Sequence, residues 1–118
     1  MLKNEITGIR CIAIESYYVR SLSGGYTSGT RKLEGIGAGF VPSIFEPSLI
    51  DEVVTVSKED AFYFAKKVAL EEGIFVGISS GASLAAVNKK SSSFKEGSRI
   101  LTFAYDTGER YLSVEDLF

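Results

Sequence analysis

Glu52-Val53-Val54-Thr55-Val56-Ser57-Lys58-Glu59-Asp60-Ala61-Phe62 passes from strand to helix within a few residues, and its reading decides the fold class. Residues 52–56 are mostly β-branched, as a strand buried in a sheet requires. Ser57 stands where an N-cap is wanted, with Asp60 three residues on as its acidic capping-box partner. Over residues 59–72, Ala61, Phe62, Ala65, Val68 and Ala69 recur at helical spacing, and Gly73 is placed to end the helix.

Upstream, residues 9–15 are short and almost continuously apolar, the pattern of a parallel strand covered on both faces. Cys11 within them reads as a buried structural thiol. Residues 16–34 are loop-like, and Pro42 and Pro47 keep the chain irregular to about Leu49. Downstream, Ile74-Phe75-Val76 leads into Gly77-Ile78-Ser79-Ser80-Gly81, and residues 82–90 continue as a helix. Ser91-Ser92-Ser93 is a solvated turn. Residues 100–105 read as a third buried strand that turns at Asp106-Thr107-Gly108. Alternating strands and helices predict an α/β fold, a three-layer piece with a mostly parallel sheet and right-handed crossovers. In such sheets ligands sit beyond the carboxyl ends of the strands.

At 118 residues the chain is one domain at most. Apolar residues make up 45% and charged residues 24%, which fits a packed core rather than disorder. Net charge is −2 with scattered basic residues, so no basic stripe favours nucleic acid. No apolar run approaches a bilayer span and no leader pattern opens the chain, so no membrane association and a cytoplasmic location are expected. Histidine is absent, which removes Ser-His and Cys-His nucleophile pairs. With a single cysteine, no intrachain disulfide or thiolate metal cluster forms, and no metal site is expected.

Two glycine-rich stretches frame the helix: Gly35-Ile36-Gly37-Ala38-Gly39-Phe40 and Gly77-Ile78-Ser79-Ser80-Gly81. Glycine is used where backbone must approach a ligand without a Cβ in the way. On spacing alone, Ser79 or Ser80 reads as a helix cap, and the first stretch equally well as a surface loop. Glu109 and Arg110 could form a local ion pair.

The order Glu15, Leu22-Ser23-Gly24-Gly25, Gly35-Ile36-Gly37-Ala38-Gly39-Phe40-Val41-Pro42, Asp51-Glu52-Val53, Glu71-Glu72-Gly73-Ile74, Gly77-Ile78-Ser79-Ser80-Gly81-Ala82 and Gly108-Glu109-Arg110-Tyr111-Leu112-Ser113 resembles cysteine synthase (O-acetylserine sulfhydrylase) and its relative cystathionine β-synthase. Both are fold type II pyridoxal-phosphate enzymes. The resemblance runs nearly end to end but covers only the C-terminal part of such an enzyme, so residues 1–118 read as a single partial domain. Tyr17 and Tyr18 stand where the family usually has smaller residues.

The resemblance implies pyridoxal phosphate as cofactor, with Ser79, Gly77 and Ser80 binding it. Ser79 would face the pyridine nitrogen, to which a neutral hydroxyl can donate without holding it protonated. Gly35, Ile36 and Gly37 would line the mouth of the site for a small amino-acid substrate. The implied reaction is β-replacement of O-acetylserine by sulfide in cysteine biosynthesis, a transferase or lyase chemistry. The family's Schiff-base lysine lies in its N-terminal portion and no lysine here matches it. No catalytic residue is therefore assigned and no activity is expected of this chain alone; the cofactor itself need not bind it unaided. Implied partners are a second copy in a homo-oligomer, the missing N-terminal portion, and serine acetyltransferase. A competing reading is a non-catalytic module derived from this family that binds a metabolite or partner.

Overall fold

The computed structural model describes residues 2–17, 22 and 40–118. Its elements are α1 (Leu2–Glu5), β1 (Ile12–Ser16), β2 (Glu52–Val56), α2 (Lys58–Glu72) and α3 (Ile78–Lys90), with 3-10 turns at Pro47–Leu49, Ser91–Ser93 and Gly108–Tyr111. The fold class is α/β as expected: β1 and β2 pair in parallel, with Ile12 opposite Glu52 and Ser16 opposite Val56.

β1 starts three residues later than expected, and Asp51 explains the offset. Its carboxylate accepts from the Cys11 N–H at 2.7 Å, and its own N–H donates to the Cys11 carbonyl at 2.9 Å. The ladder begins only beyond this clasp. Cys11 is half-buried rather than enclosed.

Alternate residues of the two strands, Ile12 and Ile14 with Val54 and Val56, face one core built with α2 and α3. α2 follows the expected signals closely. Asp60 N–H donates to the Ser57 hydroxyl at 3.1 Å, that hydroxyl donates to the Asp60 carboxylate at 2.8 Å, and Gly73 closes the helix at φ +69°. Its buried stripe is Ala61, Phe62 and Ala65, and Val68 and Ala69 are half-buried.

α3 packs on α2 through small residues. A Cβ at Gly81 would lie 2.9 Å from the Ala65 Cβ and closer still to the Ala61 carbonyl oxygen. Ala82, Ala85 and Ala86 continue this face, all buried. At its carboxyl end, Lys89 donates to the Thr55 carbonyl at 3.1 Å and Lys90 pairs with Glu52 at 2.6 Å. Both lysines also complement the negative end of the helix.

Residues 100–105 correct the expectation of a third paired strand. They form no ladder with another described residue, and Ile100, Leu101, Phe103 and Tyr105 are exposed. The nearest sheet-like contact is an isolated antiparallel bridge between Val76 and Thr107. Strand character is only completed by a neighbour, and these residues lack one within the described chain. No described helix is long and apolar enough to cross a membrane.

Candidate functional site

α2 begins two residues after β2 ends, so Ala61 lies one helical turn from the sheet's carboxyl edge. Gly81 packs against Ala61, which brings the start of α3 to that same edge. Glu15 and Ser16 end β1 there, opposite Thr55 and Val56. Parallel sheets bind ligands at this rim.

The first turn of α3 carries the Gly-Ile-Ser-Ser-Gly motif. Its N-cap is Gly77, with no side chain capping the helix. Ser79 and Ser80 are therefore not caps but residues inside the first turn, and the helix starts four residues earlier than expected. Their roles diverge. Ser80 is buried, and its hydroxyl accepts from the Tyr105 N–H at 3.0 Å. Ser79 is half-buried, and among the described residues its hydroxyl has no partner. The unpaired N–H groups of this turn make the surroundings electropositive.

Gly77 cannot be larger. A Cβ there would strike the Asp106 carboxylate and the Tyr111 ring. The Gly77 N–H donates to the Asp106 carbonyl at 3.2 Å, and the Gly108 N–H to the Phe75 carbonyl at 3.2 Å. Gly108 also lies under the Phe75 ring, where a Cβ would come within 2.7 Å. The turn of residues 106–111 is thus clamped on the start of α3. The Tyr111 hydroxyl donates to Asp106 Oδ2, while Asp106 Oδ1 is buried without a hydrogen-bond partner. Glu109 and Arg110 form no ion pair with each other and are exposed.

Glu15, at the same rim, is only 3% exposed; Oε2 accepts from the Leu22 N–H at 2.8 Å and Oε1 is unpartnered. The sequence marks Glu15 only as part of a family pattern, with no signal of its burial. Gly35, Ile36 and Gly37 lie outside the described residues, as does Tyr18. Among the described residues no cluster of histidine, cysteine, aspartate or glutamate could hold a metal. Asp51 and Glu52, below the rim, have carboxyl groups held under the ordinary range: Asp51 chiefly by the Lys3 ammonium and then the Cys11 N–H, Glu52 chiefly by Lys90.

The rim offers a hydroxyl with no partner among the described residues and the positive end of a helix, which suit an anionic group. The model of the pyridoxal-phosphate dependent enzyme family matches residues 1–106. The chain is 44% identical to cysteine synthase B of Campylobacter jejuni over 118 residues, all of this chain but 38% of the relative. Among solved structures, isoform 3 of O-acetylserine sulfhydrylase from Entamoeba histolytica superposes with a TM-score of 0.92 at 37% identity, covering 99% of this chain and 35% of that one. The O-acetylserine dependent cystathionine β-synthase of Helicobacter pylori gives 0.86 at 41% identity, covering 95% and 36%. The chain thus spans little more than a third of the length of these relatives.

Proposed function

Because the chain belongs to the pyridoxal-phosphate dependent enzyme family, we propose that it supplies the ring-nitrogen side of a cysteine-synthase-like site, as a single partial domain that is inactive by itself. The uncommitted Ser79 hydroxyl at the start of α3 carries this reading. Pyridoxal phosphate supplies an electron sink for chemistry at the substrate's α- and β-carbons when bound. Ser79 would donate a hydrogen bond to the pyridine nitrogen while keeping its proton, and the positive end of α3 would oppose protonation of that nitrogen. Both keep the ring less electron-poor, which suits loss of a β-substituent and its replacement. Gly77 lets Asp106 and Tyr111 close on the start of α3 and so fixes the first turn that carries Ser79. Ser80, committed to Tyr105, acts by holding the neighbouring segment against the helix. Gly35, Ile36 and Gly37 line the substrate mouth in this reading.

The substrate is a small amino acid, with O-acetylserine and sulfide as the reaction pair, by similarity to the relatives named above. Lys89 and Lys90 are tied to Thr55 and Glu52, which supports leaving the Schiff-base role to a segment outside this chain. Covalent catalysis through a lysine needs a positioned, desolvated amine. Homo-oligomer formation, serine acetyltransferase as a partner and a cytoplasmic site of action go with the same reading.

The test supplies the part of the Campylobacter relative that this chain does not match, by co-expression or fusion. The chain alone should yield no borohydride-trapped cofactor adduct and no sulfide-dependent cysteine. The completed enzyme should give both. In it, Ser79→Asp should lower turnover by about a hundredfold, the scale of losing one positioned electrostatic group, and shift the absorbance of the bound cofactor. Cysteine synthesis by the 118 residues alone, or a completed enzyme indifferent to Ser79→Asp, would refute the proposal.

A further inference from the structure

Gly77 caps α3 without a side chain, and no described residue accepts from the N–H groups of Ile78, Ser79 and Ser80. A carboxylate nevertheless stands beside them. A Cβ on Gly77 would run into Asp106 Oδ1, so this oxygen fills the space into which a capping side chain at residue 77 would grow. An N-cap oxygen accepts from the second or third N–H of the helix, here those of Ser79 and Ser80, and aspartate is among the best residues for the task. Asp106 makes neither bond. Its Oδ1 is buried with no partner among the described residues, and its Oδ2 accepts from the Tyr111 hydroxyl. A buried carboxylate oxygen left unpaired beside free donors calls for a cause. The Tyr111 hydroxyl is the group that holds it there.

We propose that Tyr111 is a positioning residue: its hydroxyl latches the Asp106 carboxylate off the first turn of α3 and keeps the N–H groups of Ser79 and Ser80 open at the ring-nitrogen position. The inference rests on the functional reading above, in which the positive end of α3 opposes protonation of the pyridine nitrogen. Capped by Asp106, the same turn would present a negative charge beside that nitrogen and favour its protonation. The segment carrying the latch is anchored independently of the carboxylate. The Asp106 carbonyl accepts from the Gly77 N–H at 3.2 Å, the Tyr105 N–H donates to the Ser80 hydroxyl at 3.0 Å, and the Gly108 N–H donates to the Phe75 carbonyl at 3.2 Å. The Tyr111 ring itself packs beside Gly77 and against the core. Removing the hydroxyl alone therefore leaves the backbone of residues 105–108 in place and releases only the carboxylate, which then turns onto the free N–H groups.

The test reads amide exchange at Ser79 and Ser80 in the 118-residue chain by nuclear magnetic resonance. In Tyr111→Phe, which keeps the ring, exchange at one or both amides should slow by about fivefold, the equilibrium weight of a single cap. Adding Asp106→Ala should return it to the parent rate or faster. A tyrosine that only braces the turn gives the opposite sign, because loosening the turn speeds exchange at the start of the helix. Far-UV circular dichroism checks that each variant folds, and the sign in Tyr111→Phe decides the matter even where the double variant does not. Unchanged or faster exchange in Tyr111→Phe overturns the inference, as does slowing that persists without the Asp106 carboxylate. In the enzyme completed with the unmatched part of the Campylobacter relative, Tyr111→Phe should move the bound-cofactor absorbance in the same direction as Ser79→Asp, and the double variant should restore it. Slowed exchange in the free chain with an unmoved spectrum upholds the latch and refutes the ring-nitrogen reading alone.

Discussion

Gly81→Ala puts a single methyl group where α2 and α3 meet. In an isolated helix the change is favourable by about 1 kcal/mol, because alanine is the better helix former. Here the added Cβ would meet the Ala65 Cβ at 2.9 Å, the Ala65 nitrogen at 3.0 Å and, closer still, the Ala61 carbonyl oxygen. Two of these are backbone atoms, so no side-chain rotation relieves the contact. The helices must separate, and the packing of Ala61, Ala65 and Ala82, each fully buried, is lost along the whole face. Overpacking of a tight core costs about 3 kcal/mol at its upper end. Net destabilisation is therefore about 2 kcal/mol after the propensity gain. Urea unfolding followed by circular dichroism measures it as a lower midpoint with unchanged slope. Gly73→Ala is the control: it has φ +69° and open space around the Cβ, so it should cost about 1 kcal/mol through backbone strain alone. A Gly81→Ala chain as stable as the parent would refute the close-packed helix pair.

Ser57→Ala removes the hydroxyl that accepts from the Asp60 N–H and should destabilise the chain by about 1 kcal/mol in thermal unfolding, with Ser57→Asp restoring most of it. Asp51 and Glu52 have depressed carboxyl pKa values, so their contribution to stability is present above the ordinary carboxylate range and is lost as pH falls through the folded-state values. Unfolding midpoints measured from neutral to acid pH should drop on the acid side. Asp51→Asn, which keeps an acceptor for the Cys11 N–H, should flatten that drop; an unaltered acid slope would contradict the Lys3 pairing.

The parts of the fold legible in the sequence were those set by local chemistry. Ser57, Asp60 and Gly73 bound α2 within a residue of its observed limits because caps act on adjacent backbone. The strand character of residues 52–56 followed from their β-branched composition. Residues 100–105 showed their strand character but not their isolation, since a ladder depends on a partner distant in sequence. The late start of β1 hinged on the Asp51–Cys11 clasp, another non-local bond. The Gly-Ile-Ser-Ser-Gly motif was legible as a helix start, but treating its serines as caps missed that Gly77 already fills that position. The Asp106–Tyr111 pair and the buried Glu15 carboxylate left no trace in spacing, because both arise from how distant segments close on one another.

The Gly81 contact also works as a fulcrum. Ser79 lies two residues from it, about 3 Å along the helix axis, whereas Lys90 lies nine residues away, about 13 Å. Any rocking of α3 on α2 therefore moves the Lys90 end roughly four times as far as the Ser79 hydroxyl. The helix can follow shifts of the strand to which Lys89 and Lys90 are tied while its first turn stays almost still. Mechanical play is thus taken up at the end of α3 held by two long lysine side chains, and the first turn, nearest the Gly81 contact, shifts least.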